Sequence, residues 1–426
     1  MKRVLMIAYH FPPLRGSSGI QRTLKFAQYL PQAGWLPLVL SAHPRAYQQT
    51  GDDQLKDIPA EVEVKRAFAL DSARHLAIGG RYPRFFALPD RWVSWWLGGV
   101  PAGLSLLKRR RAQAIFSTYP IATAHLIGLT LHKLTGLPWI ADMRDPMTEP
   151  HYPPNPVVRK WVGWVERKTV QHATRIVCTT PGTIEKYRKR YPDLPADRFV
   201  LIENGFDEEN FTEAEAQGVA APAPGPLHLI HSGIVYPSER DPTVLFEALG
   251  ELLARGAIGP DTLRITLRAT AHDELVNSLI EKYGIGSIVQ VAPHVAYRTA
   301  LAEMLGAGGL LVLQASNCNQ QIPAKLYEYL RARRPILALT DPIGDTAATL
   351  RAAGVDTIAP LDNKEAIMEM ILNFMRLVAE GRAPLPTPSV VAANSRRARS
   401  LQLAALLDEV TASPAAAMAR AQEAVR

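Results

Sequence analysis

Four segments of the chain carry residues whose types and spacing could do chemistry. Residues 9–19, Tyr-His-Phe-Pro-Pro-Leu-Arg-Gly-Ser-Ser-Gly, include His10, Gly16 and Gly19. Glycines there let the backbone approach a bound group, and a helix starting at Gly19 would offer unpaired N–H donors to an anion. The same residues also read as a flexible turn with a serine N-cap. Residues 138–146 place Asp142, Arg144 and Asp145 at the end of an apolar run. Charges in that position either pair with one another, Arg144 with an aspartate, or face a cleft. Residues 231–242 hold Gly233 and Arg240. Gly233 would let a phosphate near the backbone and Arg240 would neutralise it, unless Arg240 pairs with Asp241. Residues 320–330 hold Gln320, Gln321, Ile322, Lys325 and Glu328. Pro323 suits the first position of a helix, and Lys325 and Glu328 share a face of it. They form either a surface ion pair or a site with Lys325 on a phosphate and Glu328 on sugar or ribose hydroxyls.

These segments need elements that hold them. Short apolar runs at 3–9, 35–41, 62–68, 114–117, 138–142, 175–179 and 199–202 alternate with helix-length amphipathic segments. The rhythm repeats at 228–232, 264–268, 288–291, 309–313, 335–339 and 357–359. Such alternation predicts parallel sheets covered by helices on both faces: an α/β chain of two doubly wound domains in tandem. The domains are expected at 1–203 and 204–388, joined near a Pro/Ala/Gly stretch at 218–226. An amphipathic helix over 393–412 is expected to pack back on the first domain, and the Ala-rich tail 413–426 to fray. In open parallel sheets the ligand lies beyond the carboxyl ends of the strands, here in an interdomain cleft, and all four segments follow strands.

Composition narrows the class. With 47% hydrophobic and 21% charged residues among 426, the chain is neither disordered nor collagenous. No apolar run approaches the ~20 residues of a membrane-spanning helix, and the apolar run after Met1-Lys2-Arg3 is too short for a signal peptide. Cys178 and Cys318 stand far apart, so a disulfide framework and a zinc ribbon are excluded and a reducing cytoplasm is expected. Residues 1–200 hold 29 Lys and Arg against 14 Asp and Glu; the remainder hold 19 against 26. The basic half points to an anionic partner. Trp92, Trp95 and Trp96 lie just before Lys108, Arg109, Arg110 and Arg111. They read as a face for an anionic membrane surface on the cytoplasmic side, or as a core-packed helix ending in solvated charge. No recognition helix, zinc finger or RNP-like motif supports a nucleic-acid partner.

Taken in order, several of these residues resemble a known family. They are the 4–9 strand with Phe11-Pro12-Pro13, Gly16-Ser17-Ser18-Gly19, Gln21-Arg22, Ile140 to Pro146, Ile202-Glu203-Asn204-Gly205-Phe206-Asp207, and Ile322 to Leu330. Across about 330 residues the chain resembles the GT-B glycosyltransferases of family 4, the bacterial cell-wall and exopolysaccharide type, built of two Rossmann-like domains. The resemblance implies a retaining, metal-independent transfer of sugar from a nucleotide-diphosphate sugar to a glycan or lipid-linked acceptor in surface polysaccharide assembly, with no cofactor. The donor would lie mainly on the C-terminal domain and the acceptor on the N-terminal one, near His10 and Arg144. Glu328 matches the second member of the family's Glu-x7-Glu pair, which holds the ribose; Gln320 stands at the first. Arg240 matches a downstream lysine of the family. Arg240, Lys325, Asp142 and Asp145 are then the catalytic candidates. Gly16, Gly19, Gly233, Gln320, Gln321, Ile322 and Glu328 are the donor contacts. The same fold also carries nucleotide-sugar 2-epimerases, and a non-catalytic nucleotide-sugar-binding protein would share the site.

The chemistry is consistent with that resemblance. Breaking a sugar–phosphate bond builds charge on the departing diphosphate. No Asp-x-Asp occurs in the chain. Helix N-termini, glycine-loop amides and Arg or Lys are then expected to meet the charge.

Overall fold

The computed structural model describes all residues except 18, 80, 217, 219–224 and 413–426. The tail and most of the 218–226 stretch lie outside the described residues. The chain divides into two compact units. One is Met1–Glu203 together with the chain from Arg396 onward, and the other is Asn204–Ser395.

The first unit is built on a seven-stranded parallel sheet. Its strands are β1 (Lys2–Ile7), β2 (Trp35–Ala42), β3 (Glu63–Ala67), β4 (Ala114–Thr118), β5 (Trp139–Arg144), β6 (Arg175–Cys178) and β7 (Phe199–Leu201). Their order is β3-β2-β1-β4-β5-β6-β7, so the winding reverses between β1 and β4. The second unit has six parallel strands: β8 (Leu227–Ser232), β9 (Leu263–Arg268), β10 (Val289–Ala292), β11 (Gly309–Leu313), β12 (Ile336–Leu339) and β13 (Ile358–Ala359). Their order is β10-β9-β8-β11-β12-β13, with the reversal between β8 and β11. Both sheets are doubly wound and Rossmann-like, as the alternation of apolar runs predicts.

Each sheet is buried on both faces because successive side chains point to opposite sides. In β1, Leu5 and Ile7 enter one half-core and Val4 and Met6 the other. In β11, Leu311 and Leu313 join Leu229, whereas Leu310 and Val312 join Ile230. A strand with two buried faces has no polar alternation, which is why these runs read as continuous apolar stretches.

One buried ion pair fixes the first unit. Arg22, on the helix Gly19–Tyr29, meets Asp142 of β5 through two bonds, Nε to Oδ2 at 3.0 Å and Nη2 to Oδ1 at 2.9 Å. Arg22 is 3% exposed and Asp142 is 0% exposed. The guanidinium also donates to the carbonyls of Ile202 and Glu203, and Thr118 of β4 donates to Asp142 Oδ2 at 2.8 Å. The pair thus ties the first helix, β4, β5 and the chain leaving β7. This corrects the catalytic expectation for Asp142, whose two oxygens are held inside the core. The alternative pairing fails too, since its counter-ion is Arg22 and not Arg144.

The last helix, Arg396–Thr411, packs beside Gly19–Tyr29. Arg399 donates to Glu203 at 2.6 Å, and Asp408 accepts from Trp35 Nε1 at 3.0 Å and from Lys2 at 2.7 Å. The second unit closes on its own end, where Phe206 N donates to the Asn394 carbonyl at 3.2 Å.

His125 is buried in the first unit with its Nδ1 2.8 Å from Ser117 Oγ, which also accepts from Trp139 Nε1. Burial lowers its imidazole from 6.5 to about 4. The unfolded chain then takes up a proton that the folded ring refuses. Its contribution is full above pH 6.5 and is lost as pH falls toward 4, by up to about 3 kcal/mol.

Two expectations follow. Asp142→Asn leaves the Arg22 charge uncompensated and should lower the urea-unfolding free energy of the first unit by about 3–5 kcal/mol, whereas Arg22→Met with Asp142→Leu should recover most of it. His125→Phe should flatten the stability loss measured between pH 7 and pH 4.5; an unchanged slope would mean that this ring does not carry it.

Candidate functional site

The second unit concentrates unneutralised positive charge where β8 ends. Beyond Ser232 the chain turns through Gly233, whose φ of +121° is open to glycine and strained for other residues. Arg240 lies seven positions on. It donates Nη1 to the Ile234 carbonyl at 2.7 Å and rests over the Tyr236 ring at 5.2 Å. It does not pair with Asp241, whose carboxylate caps Thr243 N at 2.9 Å.

The helix Ala324–Ala332 starts beside this turn. Leu326, Tyr327, Tyr329 and Leu330 are buried. Tyr329 Oη accepts from Ser232 N at 2.9 Å, so the helix is tied to the strand end. Lys325, one turn earlier on that side, brings its Nζ to 3.1 Å from His231 Nε2. Glu328 accepts from Tyr297 Oη at 2.6 Å. The surface ion pair Lys325–Glu328 therefore does not form. Among the described residues, no carboxylate oxygen lies within 4 Å of Lys325 or Arg240. Burial and the neighbouring Arg240 hold the Lys325 ammonium well below its usual range. A Cβ at Gly233 would stand 2.9 Å from Lys325 Nζ, so the bare glycine and the lysine face each other directly.

The loop before this helix is pinned by Gln314, a residue the sequence reading passed over. Gln314 is 3% exposed, and its Nε2 donates to the carbonyls of Cys318 and Gln321, both at 2.9 Å. A polar residue at the end of the apolar run 309–313 was the available signal. Gln320 and Gln321 present exposed side chains on this loop. Ile322 is 7% exposed and belongs to the core, so its side chain is not available to a donor as expected.

Carboxylates dominate elsewhere on the same edge. A cavity of about 370 Å³ beyond β11, β12 and β13 is lined by Asp241, Asp341 and Asp362 with Val244 and Leu361. Its lining is acidic, whereas the Lys325–Gly233–Arg240 corner is basic.

In the first unit the loop after β1 gathers a second group. His10 Nδ1 lies 2.8 Å from Ser17 Oγ, which accepts from Gly19 N at 3.2 Å. A Cβ at Gly19 would stand 2.6 Å from His10 Nδ1 and 2.8 Å from Arg144 Nη1, so these three candidates are adjacent. Gly16 turns the loop at φ +77°. Arg144 sits at φ +60° beside a bulge in β5 and donates to the Tyr119 carbonyl at 3.3 Å. Burial, and then Arg144, push the His10 imidazole down to about 4, so it is neutral at pH 7. Asp145 is exposed on the loop that follows. Farther along, buried Glu166 holds that loop by accepting from Thr148 N at 3.1 Å and Arg190 at 2.6 Å.

The tryptophans do not form a membrane face. Trp95 is fully buried, 6.0 Å from the Tyr9 ring. Trp92 and Trp96 are part-buried and donate to the Ala46 carbonyl and Thr130 Oγ1. Gly99 and Gly103 let the helix Trp95–Arg110 press on Ile127 and Leu131, where a Cβ would stand 2.6 Å from each. This close helix–helix approach turns Trp95 inward, overriding the interfacial preference. Lys108, Arg109, Arg110 and Arg111 are exposed, with Arg110 paired to Glu63 at 2.6 Å. Among the described residues, no helix is long and apolar enough to cross a membrane.

Comparison with known proteins bears on the fold. Residues 19–205 match the model of the glycosyl transferase 4-like domain. A search of curated proteins finds no match. Among solved structures, sucrose-phosphate synthase from Thermosynechococcus elongatus aligns at 14% identity and a TM-score of 0.61 over 100% of both chains. Anabaena HepE in complex with UDP and glucose aligns at 12% identity and 0.61, covering 96% of this chain and 100% of that one. A UDP-N-acetylglucosamine 2-epimerase, so described as putative, from Listeria monocytogenes aligns at 12% and 0.56 over 96% of each chain. Residues 19–205 thus match a glycosyl transferase 4-like domain, and the two Rossmann-like units in tandem share the fold of these solved structures.

Proposed function

We propose that this protein is a glycosyltransferase that moves a sugar from a nucleotide-diphosphate sugar, bound on the second unit, to a glycan or lipid-linked acceptor received by the first. The observation that carries the reading is the pair of cations, Lys325 and Arg240, gathered around Gly233 without a carboxylate. Such a corner suits a diphosphate. The HepE structures hold UDP with glucose, and UDP-glucose, which supports a uridine nucleotide as the first donor to try.

In the reaction, the bond between the anomeric carbon and the diphosphate oxygen breaks while an acceptor hydroxyl oxygen bonds to that carbon; the electron pair leaves on the phosphate oxygen, and the hydroxyl's proton passes to the departing diphosphate. Lys325 and Arg240, with the positive end of the helix Ala324–Ala332, meet that charge. Glu328, kept in place by Tyr297, receives ribose hydroxyls. Gln320 and Gln321 offer amides to the sugar. On the first unit, neutral His10 and the Arg144 guanidinium orient the acceptor, with Asp145 beside them. Retention, independence from metal and a role in surface polysaccharide rest on the family resemblance. The exposed cations 108–111 would keep the protein near the anionic inner leaflet of the cell membrane.

The apposition of Lys325 and Gly233 gives a sharp test. Lys325→Met should weaken nucleoside-diphosphate binding by about 10- to 100-fold in calorimetry, the worth of a charge-assisted hydrogen bond. Its melting temperature should hold or rise, because a desolvated cation is gone. Turnover should fall by roughly 10²–10³. Wild-type affinity in Lys325→Met would remove the diphosphate from this corner. For the reaction itself, the enzyme should release nucleoside diphosphate from a nucleotide sugar only when an acceptor is present, with the product's anomeric configuration retained. Epimerised sugar nucleotide in the absence of acceptor would favour the 2-epimerase reading instead.

A further inference from the structure

We infer that His231 is a positioning residue for the diphosphate, acting through Lys325; the inference rests on the proposed role of Lys325. His231 is 0% exposed and occupies the next-to-last position of β8, on the side that Leu229 takes two residues earlier. A leucine would fill this place without polar cost, so packing alone does not account for an imidazole. Both ring nitrogens are engaged. Nδ1 lies 2.9 Å from the carbonyl oxygen of Leu311 on the neighbouring strand. A carbonyl can only accept, so Nδ1 carries the proton. In the neutral ring Nε2 is then a bare lone pair, and it faces Lys325 Nζ at 3.1 Å. Burial and the adjacent cations keep the ring neutral.

The consequence is geometric. A lysine head on a four-carbon stem has rotamer entropy to lose when it is fixed. Here one of its N–H bonds is already directed into the sheet by His231, and the bare Gly233 stands against the same nitrogen. The two remaining N–H bonds are left for oxygens of an anion. A carboxylate in place of His231 would also hold the lysine but would cancel its charge. The imidazole lone pair holds it and leaves the charge to the ligand. The backbone carbonyl of Leu311 sets the tautomer that makes this work.

The experiment compares His231→Leu, His231→Gln and Lys325→Met by calorimetric titration with UDP, GDP and ADP, following whichever wild type binds tightest. His231→Leu should weaken binding by about 10-fold. His231→Gln, whose amide oxygen can accept from Lys325, should return within about threefold of wild type. His231→Leu added to Lys325→Met should cost nothing more than Lys325→Met alone, since the histidine works only through the lysine. Wild-type affinity in His231→Leu, with Lys325→Met impaired, overturns the role of His231 and leaves the site standing. A glutamine variant as weak as the leucine one overturns the hydrogen bond as the cause. Wild-type affinity in Lys325→Met overturns the underlying reading. Should His231→Leu not fold, the ¹⁵N imidazole spectrum of the wild-type protein decides. Nδ1 should be protonated, and the Nε2 resonance should shift when the nucleoside diphosphate is added; an unmoved Nε2 contradicts the proposal.

Discussion

A cation taken out of water must find an anion, and the two units of this protein meet that demand in opposite ways. In the first, Arg22 finds Asp142, and the carboxylate is filled on both oxygens by Arg22 and Thr118. The charge is spent inside the structure and holds four segments together. In the second, among the described residues, Lys325 meets the lone pair of His231, and Arg240 a carbonyl and an aromatic face. Among the described residues, neither has a carboxylate oxygen within 4 Å. That residue of unbalanced charge is the feature on which the proposed diphosphate-binding function rests, and it distinguishes these residues from the paired Arg22 and Asp142.

The fold makes the arrangement possible by ending parallel strands at one edge. Each sheet reverses its winding once, between β1 and β4 and between β8 and β11. At each reversal the helices leave to opposite sides, so the loops and helix starts there are not covered by a neighbouring crossover. His10, Gly19 and Arg144 gather near the first reversal. His231, Gly233 and Lys325 gather at the second, where Leu311 of β11 is the partner strand that fixes His231. Main-chain order thus places polar groups at strand ends, while the strand interiors carry the apolar contacts.

Much of the fold was legible in the sequence. Runs such as Val4-Leu5-Met6-Ile7 are apolar on both faces, and only a doubly covered parallel strand needs that. Gly233, Arg240 and Lys325 could be marked as candidates, because glycine turns and cations beyond apolar runs are unusual, and the structure brings these three together. What could not be read was pairing across long separations. Arg22 and Asp142 are 120 positions apart, and nothing local says that Asp142 belongs to Arg22 and not to Arg144 two residues away. His231 and Lys325 are 94 apart, and a histidine ending a strand looks like a core residue until its partner is known. The tryptophans misled for a related reason: Gly99 and Gly103 decide that their helix lies against Ile127 and Leu131, and the cations that follow carry no information about burial.

The most direct measurement is the crystal structure of the protein with a nucleoside diphosphate. The account predicts phosphate oxygens about 3 Å from Lys325 Nζ, lying over Gly233 with Arg240 alongside, and His231 unmoved beneath the lysine. A diphosphate lodged among Asp241, Asp341 and Asp362, or one that leaves Lys325 on His231 without an oxygen contact, would contradict it.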